Sequence, residues 1–295
     1  MKQVLVTGGG GQVGTALAGH VWPAGCEAVA LTRAELDLTD PAAIAAKVAE
    51  RPWAAVINAG AYTAVDKAES EPLLAWQVNA LAPAALAAAC KAADMPLVHV
   101  STDYVFAGDR DGAWEVDDPV GPTSVYGASK LGGELAVRTG CFRHAIVRTA
   151  WVVSATGANF VKTMLRLGAD RPTLRVVADQ HGSPTSAADL AEALATIAIR
   201  LADDPAAPTG TWHFSNAGAT TWHGFATEIF RQAAAHGGPS AIVEAIATAD
   251  FPTSARRPAN SLLSTAALTR DWGVVPRPWQ EALRPILDDL IGPKP

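Results

Sequence analysis

Val4-Leu5-Val6-Thr7-Gly8-Gly9-Gly10-Gly11-Gln12-Val13-Gly14 is the stretch that decides the fold. An apolar, β-branched run passes through a glycine turn straight into a helical stretch, Thr15 to Val21. A strand, a tight turn and a helix in that order aim backbone N–H groups and the positive end of a helix dipole at a pyrophosphate. Gly8, Gly11 and Gly14 are the candidate functional glycines. Their Gly-x-x-Gly-x-x-Gly spacing departs from the commoner Gly-x-Gly-x-x-Gly pattern, and Gly9 and Gly10 leave other registers open. The competing reading is a flexible linker, but linkers rarely separate a β-branched strand from an amphipathic helix.

Working outward, short apolar runs alternate with helical stretches, the βαβ order of a mainly parallel sheet. Strands are expected at Val4 to Thr7, Ala28 to Leu31, Ala54 to Asn58, Leu97 to Ser101 and Ala145 to Thr149, with helices over 12–21, 41–51, 71–93 and 126–139. Asp40-Pro41 and Glu71-Pro72 suit helix starts. After Trp151 the regularity fades into helices near 159–168, 186–202, 222–236 and 279–291 and short strands near 174–177, 211–215 and 241–246. The expected fold class is α/β: a Rossmann-type doubly wound parallel sheet over residues 1–150, which binds a dinucleotide. A smaller mixed α/β domain over 151–295 is expected to bind substrate, with part of 180–216 returning to the sheet.

In such sheets ligands bind beyond the carboxyl ends of the strands. The glycine turn, Thr32-Arg33, Asn58-Ala59-Gly60-Ala61-Tyr62-Thr63, Ser101-Thr102-Asp103-Tyr104 and Trp151 all fall at such ends. After the second strand an acid would favour NAD; Thr32-Arg33 offers a hydroxyl and a cation and favours NADP, while Asp37 keeps NAD possible. Tyr126-Gly127-Ala128-Ser129-Lys130 opens a helix, and four-residue spacing puts Tyr126 and Lys130 on one face. A phenol titrates near ~10, and a fixed cation nearby favours its ionised form. A hydroxyl from Ser101 or Thr102 could bond the same oxygen as Tyr126, giving a proton-transfer site for a carbonyl/alcohol pair.

Composition excludes other classes. The 295 residues are 49% hydrophobic with a formal net charge of −6 and no basic run, which argues against a nucleic-acid groove or membrane surface and for a small-molecule partner. Three widely spaced cysteines, Cys26, Cys90 and Cys141, make neither a disulfide framework nor a metal cluster. They read as core thiols in a reducing cytosol. A strand beginning at residue 3 leaves no room for a signal peptide, and Asn79, Pro83 and Lys91 interrupt the longest alanine-rich run, so a cytoplasmic protein with no membrane span is expected.

Together, the glycine spacing, strand-end Ser-Thr and Tyr-x-x-x-Lys resemble the extended short-chain dehydrogenase/reductases. More narrowly, Asn58 to Glu69, Ser101 to Phe106, Arg148 to Trp151, Asn159 to Leu165, Asp179 to Thr185, Thr221-Trp222-His223 and Arg257 to Ser261 are similar to the dTDP-4-dehydrorhamnose reductase family. The resemblance implies hydride transfer from NADPH, with NADH possible, to the 4-keto group of a dTDP-linked sugar, giving dTDP-L-rhamnose. Tyr126 would donate the proton, Lys130 would hold the nicotinamide ribose and lower the tyrosine, and Thr102 would share the substrate oxygen. Gly11, Gln12 and Val13 would cradle the pyrophosphate, Asp37 and Leu38 the adenine end, and Ala61, Tyr62 and Thr63 the middle, with Val100 packed nearby. Thr102, Asp103 and Trp151 would contact the sugar, and Arg257, Asn260 and Gln180 are candidates for its diphosphate.

Tyr104 separates relatives. A related 4,6-dehydratase carries an Asp-Glu pair after the threonine, because elimination needs an acid and a base; Asp103-Tyr104 lacks the second carboxylate. Another sugar-nucleotide reductase or epimerase, or a non-catalytic NADP-binding regulatory subunit, is the alternative. Some family members bridge a dimer with metal through two glutamates, where this chain has Ala16 and Ala188. No magnesium site is therefore expected, although Asp189 and Glu192 lie close by. A homodimer is left open.

Overall fold

Six parallel strands form one sheet in the computed structural model, which describes residues 1–292. They are β1 (Lys2–Thr7), β2 (Cys26–Leu31), β3 (Ala55–Asn58), β4 (Leu97–Thr102), β5 (His144–Thr149) and β6 (Gly210–His213), in the spatial order β6-β5-β4-β3-β1-β2. β3 and β5 are buried at every position, which is why they read as unbroken runs rather than alternating ones. From β1 the chain goes to β2 on one side and then to β3 on the other. That reversal opens a crevice between the carboxyl ends of β1 and β3, where a doubly wound sheet binds its ligand.

Side chains leave a strand alternately up and down, so each strand feeds two cores. On one face Val4, Val6, Ile57, Val98 and Val147 pack against Leu190, Leu194 and Ile197. On the other, Leu5, Val56, Leu97 and Ile146 pack against Ile44, Val48, Leu86 and Val137. The helices that cover the sheet are α1 (Gln12–Gly19), α2 (Pro41–Ala49), α3 (Pro72–Ala92), α4 (Val125–Gly140) and, after α5 (Phe160–Asp170), α6 (Ala187–Asp203). Local chemistry sets the starts of several. The Asp40 carboxylate accepts from the N–H groups of Ala42 and Ala43 ahead of α2, and Ser124 Oγ accepts from Gly127 N at 3.2 Å ahead of α4.

The expected single helix over 71–93 is continuous but contains a π-helical turn at Gln77–Leu81. By length and composition α3 could cross a membrane, yet its Leu86, Ala87 and Cys90 face is buried under the sheet. A separate core lies in the carboxyl-terminal part. Val161, Met164 and Leu165 of α5 meet Phe225, Ile229 and Phe230 of α7 (Trp222–Ala235) and Leu283, Ile286 and Leu287 of a carboxyl-terminal helix, beside the parallel pair Thr173–Val177 and Ile242–Ile246. Between them in sequence, α8 (Ala266–Trp272) is an element the sequence pattern does not announce. It is short, and it is held by tertiary packing of Leu268 and Trp272 on the sheet and by Trp212 Nε1 donating to Asp271 Oδ2 at 3.0 Å. The carboxyl-terminal helix is α9 (Trp279–Ile291).

The glycine turn is the tightest junction. A Cβ on Gly14 would lie 2.1 Å from the Gly8 carbonyl oxygen and 2.7 Å from Gly9 Cα, both rigid backbone. Gly14→Ala should therefore destabilise the protein by about 1 to 3 kcal/mol through overpacking, read by urea denaturation. Gly19, with nothing within 4 Å of its Cβ position, is the control and should tolerate alanine. Equal midpoints for the two variants would mean that α1 does not seat on the turn this closely.

Candidate active site

A cavity of about 880 Å³ lies across the carboxyl ends of the strands. Gly8 enters it in the left-handed region at φ 73°, and its absent Cβ would overlap Gly60 Cα at 2.5 Å, so the turn and the loop after β3 touch backbone to backbone. Gly11 caps α1 with no side chain, leaving the first-turn N–H groups of the helix for a ligand. Gly8, Gly11, Gln12, Val13, Arg33, Asp37, Leu38, Ala61, Tyr62, Thr63 and Val100 line this one cavity. Gly14 does not; it packs beneath Gly8. Gln12 also ties the turn to the segment before α5, because its side chain bonds Val152 O at 3.2 Å and accepts from Ser154 Oγ and Asn159 Nδ2 at 2.9 Å.

At the end of β2 the Thr32 hydroxyl donates to Glu35 Oε2 at 2.8 Å, so it is not free as expected. Asp37 Oδ1 accepts from Thr39 N and Oγ1 at 2.9 Å each, and these bonds hold its carboxyl below the usual range. Arg33 makes no ion pair among the described residues and stands exposed at the rim.

The opposite wall carries Thr102, Asp103, Tyr126 and Lys130. Lys130 is 2% exposed and its Nζ donates to Val100 O at 2.7 Å. Ser101 Oγ donates to Glu134 Oε1 at 2.6 Å, which leaves Thr102 as the hydroxyl beside Tyr126. Thr102 Oγ1 in turn donates to Asp103 Oδ1 at 2.9 Å. The expectation that Lys130 lowers the Tyr126 phenol is corrected. Burial drives Tyr126 above its ordinary value, a Thr102 hydrogen bond offsets only part of this, and the Asp103 charge adds to it. Burial also brings Lys130 down to about 8, opposed by Glu134, and pushes Asp103 up to about 6, opposed in part by the Thr102 bond. Asp103 Oδ2 is buried without a partner. At neutral pH the wall thus presents a protonated phenol and a charged ammonium.

Two buried devices hold this wall, and neither is visible in the sequence alone. Glu134, two turns after Tyr126 on α4, is fully buried and accepts from Arg148 Nε and Nη2 at 2.8 Å each. Arg148 Nη1 reaches Val116 O at 3.3 Å, and its guanidinium lies 4.9 Å from the centre of the Phe106 ring. Within the π-helical turn, Asn79 grips the loop after β3 at both Tyr62 N (2.8 Å) and Tyr62 O (3.1 Å), then donates to Ser129 Oγ at 3.0 Å. The only sequence signal for Asn79 is a polar residue in an apolar helix.

Other candidates fall elsewhere. Trp151 lines the cavity, but Trp222 stacks on one of its faces at 3.6 Å. Arg257 is not on the wall. Its guanidinium pairs with Asp66 and donates to the Tyr104 hydroxyl at 3.0 Å, while the Tyr104 ring meets Tyr126 edge-on at 5.4 Å. Gln180 donates to Thr248 Oγ1 at 3.0 Å and Asn260 to the carbonyls of Arg110 and Gly112, so both amides are already engaged. Asp189 is taken up by Arg277 at 2.7 and 2.8 Å and by Asn216 at 2.6 Å.

A family model described as the RmlD substrate binding domain matches residues 1–291. A dTDP-4-dehydrorhamnose reductase from Sinorhizobium fredii is 41% identical over 290 residues, covering 98% of each chain. The chain belongs to the dTDP-4-dehydrorhamnose reductase family. Among solved members, the Clostridium acetobutylicum reductase superposes with a TM-score of 0.90 at 37% identity, covering 97% of this chain and 98% of that one. The Bacillus anthracis reductase, solved in complex with NADP, also gives 0.90, at 36% identity over 97% and 99% of the two chains. The glycine cradle fits the cofactor of this family: a Cβ at Gly8 would be blocked by backbone, and Gly10 has open space around it.

Removing one member of a buried ion pair strands the other charge in low dielectric. Glu134→Gln should cost about 3 to 5 kcal/mol in urea denaturation, far more than Glu50→Gln at the exposed Lys47–Glu50 pair. Similar small losses for both would mean that Arg148 finds another partner.

Proposed function

We propose that this chain reduces the 4-keto group of dTDP-4-dehydro-L-rhamnose to the alcohol of dTDP-L-rhamnose, with NADPH as reductant and Tyr126 as proton donor. NADPH supplies the hydride when bound. The observation that carries the reading is one cavity wall joining Thr102, Tyr126 and Lys130 to the glycine cradle. Residues 1–150 would hold the cofactor, and Trp151 and Trp222 bring the later chain to the substrate side.

In this reading Tyr126 hydrogen-bonds the keto oxygen, and Thr102 joins it by turning its hydroxyl from Asp103, so that the two polarise the oxygen and fix its position. As charge develops on that oxygen, Tyr126 passes its phenolic proton to it. Burial leaves the phenol protonated at neutral pH, so it enters the reaction as the acid, and the more basic alkoxide that forms beside it takes the proton. Lys130, one turn on along the same helix face, titrates at about 8 and is charged at neutral pH, with Glu134 opposing the effect of burial; its role in this reading is to hold the nicotinamide ribose. Arg33 at the rim supplies a cation for a ribose phosphate, which favours NADPH, while Asp37 at the adenine end is the acid that leaves NADH usable.

Tyr104 argues against elimination. Its hydroxyl is bonded by Arg257 and burial raises it, so it cannot stand in for the carboxylate that a dehydratase needs. Asp103 lines the cavity beside Thr102 and is assigned to a sugar hydroxyl in this reading.

The test is oxidation of NADPH by the purified protein on addition of the dTDP-linked 4-keto sugar. Turnover in the wild type, a kcat reduced by ~10² to 10⁴ in Tyr126→Phe and an unchanged NADPH Kd are expected. Near-normal turnover in the variant would mean that another group donates the proton. No wild-type turnover, together with cofactor binding, would turn the reading towards a regulatory protein.

A further inference from the structure

Trp151 adopts φ 50°, a left-handed conformation that is strained for a bulky non-glycine residue and persists only where surroundings enforce it. The enforcement is visible. Thr185 N donates to Trp151 O at 3.1 Å, and the strand Val152–Val153 that follows pairs with Thr185–Ser186. Gly182 lies so close to the indole that a Cβ there would sit 2.5 Å from the ring fusion. Trp222 covers one face of the ring, centroids 3.6 Å apart and planes within 14°, and is itself backed by Phe160 at 4.6 Å. Gly182 and Trp222 belong together, because His181–Gly182 pairs antiparallel with Thr220–Thr221, the residues just before Trp222.

Trp151 is therefore not a free platform with an open face of its own. Both indoles line the cavity that holds Thr102 and Tyr126, and both are half-buried, so the aromatic surface facing the reacting end is built by the pair. We infer that Trp222 is a substrate-contacting, specificity-determining residue: stacked on the strained Trp151, it completes a rigid aromatic wall against which the C–H face of the hexose packs. The broad apolar faces and edges of two indoles favour the apolar face of a sugar, and the rigidity of the pair lowers the ordering cost of binding. Gly182 serves the same wall by leaving room for the Trp151 ring. The inference rests on the reductase reading of this cavity and adds to it a residue 71 positions away from Trp151 in sequence.

The test compares wild type with Trp222→Ala, Trp222→Phe and Gly182→Ala in steady-state reduction and in binding of three probes: NADPH, dTDP and dTDP-L-rhamnose. Trp222→Ala should raise KM for the sugar nucleotide at least tenfold and weaken dTDP-L-rhamnose by a similar factor. Its NADPH and dTDP affinities should stay within twofold of wild type, because neither probe needs the wall. Trp222→Phe should recover most of the loss, and Gly182→Ala should reproduce it by displacing Trp151. A general structural defect would instead weaken NADPH binding together with the sugar nucleotide. Unchanged KM in Trp222→Ala on an active wild type overturns the inference, as does equal weakening of dTDP, which would assign the wall to the nucleotide. An inactive wild type overturns the reductase reading itself, a separate outcome.

Discussion

A fully buried ion pair, Glu134 with Arg148, is the constraint on which the geometry of the site depends. Neither charge can be left without the other in the protein interior, so the helix and strand that carry them have one permitted register. Glu134 lies on the helix that presents Tyr126 and Lys130; Arg148 lies on β5, next to Thr149 and two residues before Ala150 on the cavity wall. Ser101 at the end of β4 bonds the same carboxylate. Three elements meet at one carboxylate, and sliding α4 along the sheet would break every bond to it. Such pairs contribute little net stability when compared with apolar packing, so its consequence here is positional.

Position then becomes chemistry through burial. Ser101 is committed to the fully buried Glu134, whereas the Thr102 hydroxyl donates to Asp103 on the cavity wall and can turn to a ligand by releasing that bond. Removal from water raises the phenol of Tyr126 and lowers the ammonium of Lys130, the two directions that low dielectric imposes on an acid and a base. The result suits a donor of protons. A tyrosine already ionised at neutral pH would instead suit oxidation of an alcohol. Asn79 extends the same logic across the cavity, since a π-helical turn lets one amide hold the Tyr62 loop and the helix that carries Tyr126 at once.

The strands, the glycine turn and the strand-end loops are legible in the sequence because each is coded locally, by β-branched runs, glycine spacing and the rule that ligands sit beyond strand ends. Tyr126 and Lys130 are legible for the same reason, being one turn apart. What escapes is coded over distance. Glu134 and Arg148 read as an ordinary helix acid and an ordinary strand cation until tertiary structure brings them together. Asn79 looks like a helix interruption, and the Trp151–Trp222 stack joins residues whose neighbours in sequence say nothing of each other. The influence of Lys130 on Tyr126 is misjudged when charge is weighed without burial, which here is the larger effect. Arg257 reads as a ligand for diphosphate, whereas it is engaged by Asp66 and Tyr104.

The central claim is that this wall completes a net hydride transfer to a sugar carbonyl, and it is tested most directly by isotope. NADPH carrying deuterium at its transferable position, incubated with the protein and the dTDP-linked 4-keto sugar, should yield a product with one deuterium bound at C4 of the hexose for each cofactor oxidised. A sugar product free of deuterium, with the label still on the cofactor, would contradict the account and place the chain among enzymes that regenerate their cofactor within each turnover.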